Sequence, residues 1–117
     1  MLTSRTKEAV INLTERAKRA KEYLMQYQDC SQNIKALNLI EDGEYKTMCL
    51  KVNTDLQREI QAVIVQLPLG QKRTILELHY IGARPLSKIR RDLLIADSTI
   101  QKYHKLGLEM VADILKF

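Results

Sequence analysis

Over residues 3–33 apolar side chains return at alternating intervals of three and four: Val10, Leu13, Ala17, Ala20, Leu24 and Tyr27, with Ile34 one heptad further on. That period is a coiled-coil-like seam, so the chain is expected to open with a long helix. Two seam positions are alanine, which permits close approach but buries little area. Such a helix needs a partner, either in this chain or in another copy. The stretch NLIEDGEY, residues 38–45, carries an Asp-Gly pair and a local concentration of acid, the chemistry of a turn. Beyond it Met48, Val52, Leu56, Ile60, Val63 and Leu67 outline a second long helix that can fold back on the first, with Asp55 and Glu59 interrupting its stripe.

Leu67-Pro68-Leu69-Gly70 closes that helix, because proline disfavours helical geometry in the residue before it and glycine supplies a permissive corner. The composition shifts here. The reading divides the chain into an N-terminal helical, oligomerising region, 1–66, and a second unit, 67–117. Three helical segments follow in the second unit, 71–81, 86–93 and about 98–115, broken by Gly82 to Pro85 and by Ile95 to Asp97. Asp97 stands where its carboxylate can cap the last helix. With four glycines and two prolines in 117 residues, the whole is expected to be all-α.

Charge adds a direction to this picture. Residues 1–66 hold 10 Lys/Arg against 9 Asp/Glu, and residues 67–117 hold 9 against 5, so most of the net +5 lies in the second unit. A basic half is permissive for polyanions. Cys30 and Cys49 form no CxxC pair, and with only His79 and His104 elsewhere no four-ligand zinc spacing can be assembled. Both thiols are expected to be reduced and structural. No cofactor, metal or catalytic group is expected, and a chain of this length has little room for an elaborate active site. The N-terminus lacks the apolar run of a signal peptide, and the longest uncharged stretch, residues 60–71, is far short of the ~20 apolar residues that cross a bilayer. The expected location is the cytoplasm, with no membrane partner.

The stretch SKIRRDLLIADSTIQKYHK, residues 87–105, reads as two short helices meeting at a tight corner with a cationic rim. A helix-turn-helix needs apolar side chains that lock the two helices and a second helix whose outer face can meet base edges. Ile89, Leu93, Ile95, Ile100 and Tyr103 supply the lock. Ser98, Thr99, Gln101 and Lys102 are then the expected base-reading residues, since Gln can pair with adenine and Lys with guanine acceptors. Arg84, Lys88, Arg90, Arg91 and Lys105 are the expected phosphate contacts, which hold register without reading sequence. The two histidines are expected to be packed or partly exposed helix residues, and the tyrosines at 23, 27, 45, 80 and 103 to pack. A plain helical bundle with a solvated cationic face is the competing reading of the same pattern.

Residues 67–111 also resemble the C-terminal module of phage and prophage regulators of the ArpU and RinA type, a module similar to region four of sigma factors. In that family an LP corner leads to an R-x-x-L-x-x-x-Y helix, here Arg73, Leu76 and Tyr80, and the reading helix carries H-x-x-[AG]-L, here His104, Gly107 and Leu108. AKEYL, residues 20–24, resembles the start of the long N-terminal helices in some of these proteins. The chain departs from the pattern at Arg90, where a small alanine is usual, at Leu94, where glycine is common, at Ala96, where Ser or Thr caps the reading helix, and at His79, often Arg. The resemblance implies a late-gene transcription regulator of a phage, prophage or satellite element, acting on double-stranded promoter DNA beside host RNA polymerase. A homodimer would place two readers on DNA. The alternatives are a small terminase subunit built into rings, and a sigma-like protein-interaction module that does not touch DNA. An enzyme is the class the sequence supports least.

Overall fold

The computed structural model describes residues 13–117, so Val10 and the start of the first expected helix lie outside the described residues. Five α-helices and no strand make up the described chain: α1 (Glu15–Leu37), α2 (Glu44–Ile64), α3 (Gln71–Leu76), α4 (Leu86–Leu93) and α5 (Asp97–Leu115), with α3 running on into a π-helical turn at Glu77–Ile81. None of these helices is long and apolar enough to cross a membrane.

Thr14 starts α1 by accepting a hydrogen bond from the Ala17 amide at 3.1 Å, which satisfies one of the orphan donors of the first turn. Its hydroxyl also donates to Glu109 on α5 at 2.8 Å, so the cap doubles as a tether. After the turn at residues 38–43 the chain reverses, and side-chain bonds set the register of the α1–α2 hairpin. Tyr23 donates to Glu59 at 2.5 Å, Gln57 donates to the Tyr27 carbonyl and to Ser31, and Asn33 donates to Asn53 at 3.0 Å. Partners rising along α1 meet partners falling along α2, so the pair is antiparallel.

The seam read from the sequence is the centre of the molecule. Ala17, Ala20 and Leu24 are fully buried against Ile60, Val63 and Ile64 of α2, Leu76 and Tyr80, and Leu108, Val111 and Ala112 of α5. The partner that the alanine seam requires is therefore inside the chain. Leu67 belongs to this cluster, so one core runs through the LP corner and joins the residues on either side of it. Gly107 lets α5 pack closely on Leu76 of α3: a Cβ there would stand 3.2 Å from the Leu76 side chain.

The second stripe fares differently. Ile60, Val63 and Leu67 are buried and Leu56 is partly so, but Met48 is 65% exposed and Val52 67%. The apolar stripe is thus buried only in the C-terminal half of α2, while toward the tip α2 still pairs with α1 through Asn33 and Asn53. Tyr45, expected to pack, is 70% exposed for the same reason. α5 covers the lower part of the hairpin, and no described helix reaches its tip.

One polar pair lies in the core. Tyr80 and His104 share a 2.8 Å hydrogen bond between the phenol and Nε2. Burial is the main cause that lowers the His104 pKa from 6.5 to about 4, with like charge from His79 and Lys21 adding to it. An unfolded histidine takes up its proton first as the pH falls, so the contribution is complete above pH 6.5 and is lost progressively between there and about 4. Thermal unfolding should show the loss, on the order of 3 kcal/mol between pH 7 and 4. A His104→Leu variant, although less stable at neutral pH with Tyr80 unpaired, should lose much less on the same acidification.

Candidate nucleic-acid interface

The basic corner is built on its own apolar cluster. Ile75, Ile89 and Ile100 are fully buried together, with Leu78, Leu86, Leu93, Ile95 and Tyr103 packed around them. All five residues expected to lock the corner are present, and Ile75 of α3 adds a third wall. Lys72 lies over the Tyr103 ring at 4.8 Å, a cation–π contact that covers the outer edge of this cluster.

The turn between α4 and α5 is residues 94–96. Leu94 adopts the left-handed conformation, φ 57°, and closes α4. Its amide bonds to the Arg91 carbonyl at 3.2 Å and the Ile95 amide to the Arg90 carbonyl at 3.2 Å, the pattern with which helices commonly end on glycine. Ala96, in extended geometry, holds the N-cap place of α5 and has no side-chain bond to offer. This corrects the expected cap: Asp97 is the first residue of α5, inside the helix, where its charge meets the positive end of the macrodipole and lies 3.7 Å from Arg90.

On α5, Ser98, Gln101, Lys102 and Lys105 follow spacings of three, one and three, which place them on one side of the helix. The first three are exposed and Lys105 is half-buried. Lys105, assigned to the phosphate set by charge alone, thus shares a face with the proposed readers. Thr99 lies about a quarter-turn away and is half-buried. The same side continues into Glu109 and Asp113, acids that would repel a polyanion. Arg16 of α1 reaches both of them and also donates to the Phe117 carbonyl.

The rim cations fall into two groups. Arg84 and Lys88 share Asp92 at 3.4 and 3.9 Å, and Arg90 is held by Asp97. Arg91, Lys102 and Lys105 make no ion pair among the described residues. Pairs this exposed contribute roughly 0–1 kcal/mol and exchange readily for another anion, so they orient cations more than they neutralise them.

No family model, curated protein or solved structure matches this chain. The site rests on its own geometry. Among the described residues no group of three His, Cys, Asp or Glu side chains is placed to hold a metal ion.

Three contributors were missed by the sequence reading. Asp92 had a local signal, since Lys88 and Asp92 are four apart on one helix. Arg16 had none, being 93 residues from Glu109. Gln28 had none either: its amide donates to the Tyr80 and Ile81 carbonyls at 3.0 and 3.1 Å and so braces the π-helical turn from α1. That turn leads through Gly82, where a Cβ would stand 2.7 Å from the Leu78 carbonyl oxygen, into α4. The corner is therefore held from behind by the hairpin.

Leu94 offers a direct check on the turn. A left-handed leucine costs roughly 1–2 kcal/mol and glycine adds about 0.5–1 kcal/mol of unfolded-state entropy, while the 91% exposed side chain has little contact to lose. Leu94→Gly should raise the midpoint of chemical denaturation, by up to about 1 kcal/mol in stability.

Proposed function

We propose that this chain is a sequence-specific DNA-binding transcription regulator, acting as a homodimer on promoter DNA and activating late genes of a phage, prophage or satellite element together with host RNA polymerase. The observation that carries the reading is the face Ser98, Gln101, Lys102 and Lys105 at the start of α5, raised on a buried apolar lock, with an exposed Arg91 on α4 that makes no ion pair among the described residues. A helix presented in this way suits the major groove, with Gln101 and Lys102 toward base edges and Arg91 toward phosphate. The segment 84–105 holds six Lys/Arg against two Asp, which supports attraction to a polyanion. The likeness of residues 67–111 to the sigma-region-four-like module of the ArpU and RinA type supports the regulatory part of the reading.

A second reading, a protein-interaction module that leaves DNA alone, draws on the engagement of Arg84, Lys88 and Arg90 by Asp92 and Asp97. Salt dependence separates the two, because each phosphate neutralised steepens log affinity against log salt by about 0.9.

The deciding experiment is selection of genomic fragments by the purified protein, with a Gln101→Ala/Lys102→Ala double variant in parallel. The expected result is enrichment of a promoter-proximal site that the double variant loses. On that site Gln101→Ala should relax preference at one or two base pairs, costing roughly 1–3 kcal/mol of discrimination. Arg91→Ala should weaken all sequences alike and lower the salt slope by nearly one. Absence of enrichment over background would exclude the DNA-reading function.

A further inference from the structure

The tip of the α1–α2 hairpin carries an apolar surface that the chain does not cover. Leu39 and Ile40 in the turn, and Tyr45, Met48 and Val52 on α2, are all exposed, and the last three follow the helical spacing of three and four. They continue the stripe that Leu56, Ile60 and Val63 bury lower down. Together the five expose on the order of 500 Å², which is at the upper end of what a monomer leaves open to water. Scattered apolar residues need no explanation; a stripe in register with a buried one does.

We infer that this surface pairs with the same surface of a second copy, α2 against α2 in antiparallel orientation. The α1 seam is already filled by α2 and α5, so a second copy has to use another face. The charges beside the stripe choose the orientation. Glu44 and Lys51 are seven residues apart and share one flank of α2. With the two-fold axis passing beside Met48, Tyr45 of each copy meets Val52 of the other, and Glu44 of each copy meets Lys51 of the other. A parallel pair would carry the two copies of this flank to opposite sides of the seam, where Glu44 and Lys51 have no such match. The pairing therefore closes on itself, as a two-fold interface must, with Lys51, bonded to Asp55 of its own helix at 2.7 Å, sharing its charge with Glu44 of the other copy.

The patch is smaller than the roughly 800 Å² that each partner buries in a standard interface, the size class of contacts that exchange readily. The proposal names the surface of the homodimer in the proposed function and so rests on that part of it; because it is tested without DNA, its failure leaves the DNA contact of α5 to the fragment selection.

Light scattering of the full chain up to roughly 100 μM should show a concentration-dependent passage from monomer to dimer. A Met48→Glu/Val52→Glu variant should keep its helical content and melting temperature, both side chains being exposed already, and remain monomeric over that range. Lys51→Glu should weaken the dimer, and adding Glu44→Lys to it should restore it. Cys49, partly exposed near the axis, should cross-link between copies with a short bis-maleimide, while the buried Cys30 stays silent. A strict monomer in the wild-type chain would overturn the proposal and leave the tip to a different protein. A dimer that survives Met48→Glu/Val52→Glu would overturn it equally, by placing the contact elsewhere.

Discussion

The close approach of α1 to α5 is the contact on which the rest of this molecule depends. It is possible because α1 turns Ala17 and Ala20 inward, where larger side chains would hold the two helices apart. Leu24 then fills the space between α2 and α5, and Arg16 and Thr14 fasten the rim to Glu109 and Asp113. Alanine contributes little buried area by itself, so the gain comes from bringing the larger residues of its neighbours together. Remove that approach and the hairpin has no bundle to lean on, and α5 loses one wall of its C-terminal half.

The corner has a measure of independence. Its cluster around Ile75, Ile89 and Ile100 is distinct from the main core, and α5 links the two by placing Ile100 in one and Leu108 in the other. Tyr80 and His104 sit at the junction, a buried polar pair that satisfies itself through one hydrogen bond. Gln28 braces the backbone just above it. The start of α5 is thus seated on a buried apolar cluster, while in its acidic continuation Arg16 of α1 engages both a half-buried Glu109 and an exposed Asp113.

The hairpin divides into two halves of different character. Near the base, α2 has neighbours on two sides and its apolar stripe is dry. Toward the tip it has only α1, and the contacts between them become polar through Asn33, Asn53, Gln57 and Ser31. A helix with two apolar sectors and one neighbour leaves one sector wet, and that is the origin of the exposed Tyr45, Met48 and Val52.

Much of the architecture was legible in the chain itself. Helical period, the breaks near residues 38–45, 67–70, 82–85 and 95–97, the lock residues of the corner and the excess of positive charge in the second half are all local properties, determined by what each helix must bury and where the backbone can turn. Period alone does not say against what a stripe is buried. The stripe of α1 could have met another copy, and it is tertiary packing that assigned it to α2 and α5. The same stripe logic held for α2 at Ile60 and failed at Met48, because coverage depends on where α5 ends. Ala96 rather than Asp97 took the cap position, since the turn geometry of Leu94 decides where α5 begins. The partners of the rim cations likewise came from space: Asp97 reaches Arg90 across the turn, and Arg16 reaches Glu109 across the whole chain. The sequence determined the helices and their sticky faces, and only the tertiary structure decided which faces were consumed and which were left for something else.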